Sequence, residues 1–467
     1  MREILRLHAN SVELEEIAAT LGLKKTQVSA IIAHEDLKKD RRKPPEDQVP
    51  EIVEIKDSDS IRSADSVRTS HPEEEAAPVA VQAEVKEEED GNGVLIGEDR
   101  EFSDLLYWTP ENPGQVQNPH LMILGESGSG KTYTVQCLTA ELAQKAIPSI
   151  VFDYGQGFEI QTLDESFRIF TQPKEYLLGE EGVSLNPLRI FPTDVHGPKS
   201  VASRLSDVFD AAYSLGPIQR KVLIDAILTA FEMSGISSDD RTTWEKNPPS
   251  ITNLQQVLEE LSVDKEYVNS KNAVGLTARL TTFFMLSSFR SDMSGWSWDR
   301  LIADPDHRVH VLQFRGLEGK TQKVLVEVLL WHLFFYLKSH GQQKLRVYCV
   351  LDEAHHLSFR DGGPIDQLLR EARKFGVGLI FASQQPEDFS PAAFSNSATK
   401  LVFQTADPTL KVSRFLAAKC TNYDSPEQIH ETIAVLPQGE ALFITRNRGH
   451  LVHITDLRKR ATLWRQN

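Results

Sequence analysis

The chain has little cysteine, three residues in 467: Cys137, Cys349 and Cys420. Their spacing pairs none with another, which excludes a disulfide-stapled secreted scaffold. Two fall inside apolar runs, so they read as buried thiols of a reducing compartment. Long hydrophobic runs are missing too. The longest, 324–337, is too short for a bilayer and contains Glu327 and His332, so it reads as a core helix and no membrane partner is expected. No signal peptide opens the sequence, and the expectation is a soluble, cytoplasmic protein. Outside two motifs, at Gly125 and at Asp352, no His, Asp and Glu share metal-site spacing, which argues against a nuclease in this chain.

Aromatic residues are absent from one stretch, 44–92, which carries 15 Asp or Glu against 4 Lys or Arg, a net of −11 out of −16 for the whole chain. So little apolar surface cannot offset the entropy of ordering, and a disordered acidic linker is expected there. The rest of the chain is only mildly acidic, so nucleic acid is not excluded as a partner. Ahead of the linker, residues 1–43 carry two amphipathic helical patterns broken at Gly22, with Ile17, Ala18, Leu21, Val28 and Ile31 as a small core. The pattern resembles a helix-turn-helix, with Lys24, Lys25, Thr26, Gln27 and Ser29 available to a major groove. A helical hairpin that docks a partner protein has the same pattern, and both readings stand.

What is present in strength is a glycine-rich loop. Gly125, Glu126, Ser127, Gly128, Ser129, Gly130, Lys131 and Thr132 fit G-x-x-x-x-G-K-[ST] without a mismatch. A short apolar run, 121–124, precedes the loop, and helical periodicity begins at Tyr133. Such a loop wraps a phosphate in backbone N–H groups; Lys131 reaches the β- and γ-phosphates, the Thr132 hydroxyl ligates Mg²⁺, and Tyr133 is a further nucleotide-binding candidate beside it. A second apolar run, 346–351, ends in Asp352-Glu353. An aspartate at a strand tip suits Mg²⁺, and the glutamate beyond it suits a base that polarises water. ATP and Mg²⁺ are the expected ligands.

Buried runs at 150–153, 309–314, 377–383, 400–404, 441–445 and 451–454 alternate with helical patterns. They predict an α/β fold with a mostly parallel, three-layer sheet from 93 to 467, interrupted by a helical insertion at about 197–300.

The order of motifs resembles the HerA–FtsK superfamily, on the HerA side. The residues that carry the likeness are Gly125 to Thr132, strand-end Asp153, Asp352-Glu353-Ala354-His355, Arg370-Glu371-Ala372-Arg373-Lys374-Phe375-Gly376 and Ser383-Gln384-Gln385-Pro386. The resemblance spans about 94–455. It implies a RecA/FtsK-like P-loop ATPase core working as a homohexameric ring on DNA, a translocase or helicase. It also implies a role in prokaryotic DNA processing or anti-phage defence, with a nuclease or other effector protein as partner. Gln384 is then a sensor of the γ-phosphate, Arg373 or Arg370 a finger into the neighbouring subunit's site, and Asp153 a group that orients water or a basic partner. HerA proteins usually begin with a small β-barrel, for which 93–118 leaves little room. A nucleotide-gated assembly switch without processive motion is the alternative reading.

Overall fold

The structure, a computed structural model, describes residues 93–112, 116–285, 289, 297–407 and 409–466. The helix-turn-helix and acidic-linker expectations lie outside the described residues. Strands β1 (Val94–Asp99) and β2 (Leu105–Trp108) form a hairpin, and β3 (Leu121–Leu124) leads into α1 (Lys131–Gln144) and β4 (Ser149–Asp153). Helix α2 (Glu165–Thr171) and β5 (Lys174–Leu177) precede a run of helices: α3 (Pro198–Tyr213), α4 (Pro217–Met233), α5 (Ile251–Val263), α6 (Ser270–Met285) and α7 (Trp298–Ala303). Then come β6 (Val309–Gln313), α8 (Gly319–Ser339), β7 (Gln343–Leu351), α9 (Pro364–Glu371) and β8 (Phe375–Ser383). The chain closes with α10 (Pro391–Asn396), β9 (Thr399–Val402), α11 (Lys411–Ala417), α12 (Pro426–Ala434), β10 (Glu440–Thr445), β11 (Arg448–Ile454) and α13 (Leu457–Gln466).

Eleven strands make one sheet, ordered β2-β1-β11-β10-β9-β3-β8-β7-β4-β6-β5. The seven from β9 to β5 are parallel. Their continuous apolar runs follow from burial on both faces. Side chains alternate between two cores. Met122, Leu124, Phe152, Leu351 and Phe381 point to the face covered by α8 and α9. Leu121, Ile123, Val151, Val350 and Ile380 point to the face covered by α1. The mostly parallel three-layer sheet matches the sequence reading.

The remaining four strands form an antiparallel wing. Runs 441–445 and 451–454 were legible as strands but belong to this wing, and the hairpin β1–β2 occupies 94–108 where no strand was expected. Close packing explains Gly97 in β1: a Cβ there would lie 2.1 Å from the His453 carbonyl oxygen. The segment α3 to α6 has its own apolar core, and Val324 and Val328 of α8 close it while Leu325, Leu329 and Leu333 face the sheet. Burial on both sides accounts for the long, mostly apolar run of α8, in which Glu327 and His332 are themselves buried. All three cysteines are buried and free. No helix among the described residues is long and apolar enough to cross a membrane.

Arg460, fully buried, ties α13 to the wing. Its guanidinium donates to the carbonyls of Leu95 (2.5 Å), Ile96 (2.7 Å) and Thr455 (2.7 Å) and to Glu141 of α1 (3.1 Å). The β1–β2 register shifts between Leu95 and Gly97, so the arginine satisfies carbonyls at an irregular step in the ladder. Arg460→Met leaves the Glu141 carboxylate without its cation, with only the Trp464 indole N–H donating to it, and takes the donor from these carbonyls, so it should destabilise the fold by about 3–5 kcal/mol. Denaturant unfolding measures the loss; Glu141→Met added to it should recover part of the stability.

Candidate functional site

Parallel register builds the site. Leu124 pairs with Ser383, Leu351 with Phe381, and Phe152 with Leu351. The residues at or just past those strand ends therefore share one edge of the sheet: Gly125, Gln384, Asp352 and Asp153. The loop 125–130 is shaped by glycine. Gly128 and Gly130 have φ of 81° and 110°, a region costly for any residue with a Cβ. A Cβ on Gly125 would lie 2.5 Å from Phe403 Cβ. The Gly125 N–H donates to the Ser383 carbonyl (3.3 Å), the Glu126 N–H to Gln404 (2.8 Å), and the Gly439 N–H to Ser129 (3.1 Å). The Glu126 carboxylate accepts from the Ala406 N–H (2.9 Å). Ser127 and Gly128 are exposed at the loop tip.

Beneath the loop Lys131 is only 8% exposed, and its Nζ donates to the Glu126 carbonyl at 2.8 Å. Burial lowers its pKa, opposed by the negative charges of Glu353, Asp352 and Glu126. Helix α1 begins at this lysine without a side-chain cap and without an acidic residue in its first turn. The Ser129 hydroxyl is buried with no partner. Open N–H groups, a helix N-terminus, an orphaned hydroxyl and a buried cation fit a bound phosphate.

Across the edge the Thr132 hydroxyl donates to Asp352 at 3.1 Å. These two oxygens suit Mg²⁺, a hard cation held by few protein ligands. Asp352 is 3% exposed, and burial, with the neighbouring Glu353 charge, pushes its carboxyl up to about 6. Glu353 has a left-handed backbone, φ 57° and ψ 51°, strain held by the fold at the end of β7. Its carboxylate accepts from Gln384 (3.3 Å) and sits 3.2 Å from His355 Nδ1. Lys131, Thr132, Asp352, Glu353 and Gln384 are thus brought together.

Asp153 is fully buried beside them. One oxygen accepts from the Gly157 N–H (3.1 Å), the other from the Phe158 N–H (2.8 Å) and the Gln313 amide (2.5 Å). Burial raises its pKa against those hydrogen bonds. Both oxygens fold the 154–158 loop back over the site. A Cβ on Gly157 would meet Thr132 Cγ2 at 2.6 Å, and one on Gly155 would meet Glu353 Cγ at 3.3 Å. His355, part of the motif that follows the strand at 346–351, is brought to the site, whereas Gln313, Gly155 and Gly157 carry no signal in the sequence, since isolated glycines and a glutamine at a strand end have no spacing pattern.

Three sequence candidates stand elsewhere. Tyr133 follows Thr132, but its hydroxyl accepts from the Leu457 N–H of α13 (3.0 Å). Arg370 pairs with Asp366 at 2.6 Å on its own helix. Arg373 lies in a short 3₁₀ turn at the start of β8, the end remote from the phosphate loop, about 26 Å away at ~3.3 Å per residue. Its guanidinium donates to the Gln117 carbonyl and, among the described residues, pairs with no carboxylate.

The buried Asp352 has a signature in stability. Its folded pKa lies above its unfolded value, so the stability linked to its proton is complete below about pH 4 and is lost as pH rises through about 6. A shift of about two units corresponds to about 3 kcal/mol. Without divalent cations, Asp352→Asn should melt higher than the unsubstituted protein at pH 8, and the gap should close toward pH 4.5. Thermal unfolding at the two pH values checks it.

Residues 115–333 match the family described as Helicase HerA, central domain. The DNA double-strand break repair helicase HerA of Sulfurisphaera tokodaii is 24% identical over 340 residues, 70% of this chain and 62% of that protein. The HerA of Saccharolobus solfataricus is 22% identical over 339 residues, 70% of this chain and 61% of that protein. The chain thus spans about three-fifths of the length of these curated relatives. Among solved structures, VirB4 of Thermoanaerobacter pseudethanolicus superposes with a TM-score of 0.60 at 18% identity, covering 78% of this chain and 97% of that one, a likeness of fold. A phosphate loop, a strand-end Asp-Glu pair and a strand-end glutamine are thus assembled on one edge of this sheet, in a chain that is similar to the HerA helicases through the family match and through relatives at 22–24% identity.

Proposed function

We propose that the protein hydrolyses ATP and uses the energy to move DNA, working as a homohexameric ring. The observation that carries this reading is the convergence of Lys131, Thr132, Asp352, Glu353 and Gln384 at one sheet edge. ATP is the substrate. Its β- and γ-phosphates sit in the 125–130 loop with Lys131 beneath them. Thr132 and Asp352 would hold Mg²⁺, which when bound neutralises phosphate charge. Glu353 takes the proton of a water as the water oxygen attacks the γ-phosphorus and the bond to the ADP oxygen breaks. Gln384, hydrogen-bonded to Glu353, senses whether the γ-phosphate is present. Asp153 is a positioning residue that holds Gly155 and Gly157 against Glu353, Thr132 and Asp352.

Arg373 is the residue we assign to a neighbouring subunit's nucleotide. Its distance from its own phosphate loop and a charge that pairs with no carboxylate among the described residues support a role in trans, whereas Arg370 is engaged by Asp366. A guanidinium there offsets the charge that develops on the transferred phosphoryl group. The HerA likeness extends the proposal to prokaryotic DNA processing or anti-phage defence, beside a nuclease or other effector protein.

ATP turnover with and without long duplex DNA tests the motor. A several-fold rise on adding DNA is expected; turnover that ignores DNA and answers only to a protein partner identifies an assembly switch. Glu353→Gln should keep ATP binding and lower turnover by about 10²–10⁴-fold, while Lys131→Ala weakens binding itself. Arg373→Ala should bind ATP and lose about 10³–10⁵ in rate. Mixed with Glu353→Gln protein it should regain turnover at interfaces pairing an intact Glu353 with an intact Arg373. Subunit exchange without recovery at any ratio contradicts the role in trans.

A further inference from the structure

A cleft of about 320 Å³ opens beside the site, between Tyr154, Ala212 of α3, the first turn of α8 and His356. It is separate from the phosphate loop, and none of the roles assigned to the catalytic residues uses it. Resting on the DNA-motor reading, we propose that this cleft takes a phosphate of the DNA strand and transmits its occupancy to Glu353 through His356 and His355.

The lining matches a phosphodiester. Lys320 and Lys323 are exposed on its wall and form no ion pair among the described residues. Lys320 lies over the Tyr213 ring, 5.4 Å from its centroid, which holds the ammonium near the opening. The Tyr154 ring forms part of the wall and stacks on His356, so a phosphate held by the lysines packs against both side chains. The one carboxylate on the wall, Glu318, is spent on its own helix: it accepts from the N–H groups of Lys320 and Thr321, each at 3.2 Å, and from the Thr321 hydroxyl at 3.4 Å. Two lysines suit a singly charged backbone phosphate better than a triphosphate, for which the chain already has its loop.

The path to Glu353 is short and packed. His356 stacks on Tyr154 (centroids 5.2 Å, 20° between planes) and lies 4.2 Å from the His355 ring. His355 Nδ1 is 3.2 Å from the Glu353 carboxylate. Tyr154 is followed by Gly155, where a Cβ would touch Glu353 Cγ at 3.3 Å. A phosphate that fixes Tyr154 and His356 thereby fixes two of the surfaces that set the Glu353 carboxylate, so DNA occupancy biases the geometry of the base.

Lys320→Ala/Lys323→Ala in the full chain tests the cleft, with thermal unfolding to show that it folds. Basal ATP turnover should stay within about twofold of the unsubstituted protein, while the DNA concentration for half-stimulation rises about tenfold and the salt slope of DNA binding falls by about one to two. Lys320→Arg/Lys323→Arg should restore both. His356→Ala should bind DNA with the normal salt slope yet lose most of the stimulation. If the unsubstituted protein is stimulated by DNA and the double alanine variant is stimulated equally, with an unchanged salt slope, the cleft assignment alone falls. If the unsubstituted protein ignores DNA, the motor reading falls and takes the cleft with it. Inorganic phosphate at millimolar concentration reproducing the stimulation without DNA would also overturn it, since the ligand would then not be a strand.

Discussion

The hydrogen bond from Thr132 to Asp352, 3.1 Å across 220 residues of chain, exists only because β3, β8, β7 and β4 lie side by side, parallel and in register. That register depends on continuous burial of both faces, with α8 and α9 on one side and α1 on the other. A slip of one residue in β7 would exchange its faces and carry Asp352 away from Thr132. Position at the site is therefore a consequence of core packing. The helical segment between β5 and β6 is tolerated since it departs and returns at the far side of the sheet and packs into its own core.

Within that frame the site holds charge in places that favour neutrality. Asp352 and Lys131 are both buried and their pKa values move toward each other. Asp153 gives both oxygens to the 154–158 loop instead of to solvent. Left-handed Glu353 adds backbone strain. Burial and strain of this kind cost stability and leave few alternative arrangements, which is how a folded chain pre-positions groups for charged ligands. The large two-sided core supplies the offsetting stability.

Much of this was legible in the sequence. The phosphate loop declares itself because only glycine tolerates its backbone angles, and the buried parallel strands because apolar residues dominate most of them, with His310 and Lys400 as buried exceptions. Asp352 and Glu353 stood out by following such a strand. The missed strands have physical reasons: β2 and β5 are only four residues long, β5 is half charged, and β1 contains Gly97 where a neighbouring backbone leaves no room for a side chain. Gln313, Gly155 and Gly157 act through contacts between distant segments, which composition and periodicity do not record. Arg460 looks like any basic residue of a polar terminal helix, and only its three backbone carbonyls and Glu141 reveal a buried tie. The pairing of Arg370 with Asp366 and the contact of Arg373 with the Gln117 carbonyl became visible only in the structure.

Movement along DNA distinguishes a motor from a switch built on the same fold. A triplex-forming third strand placed at one end of a long duplex reports it: a translocating ring strips the strand off, with a delay that grows with the length of duplex ahead of it. Displacement that requires ATP, lengthens with distance and is absent in Lys131→Ala is the result expected. ATP turnover on that DNA with the third strand left in place at every length would contradict translocation.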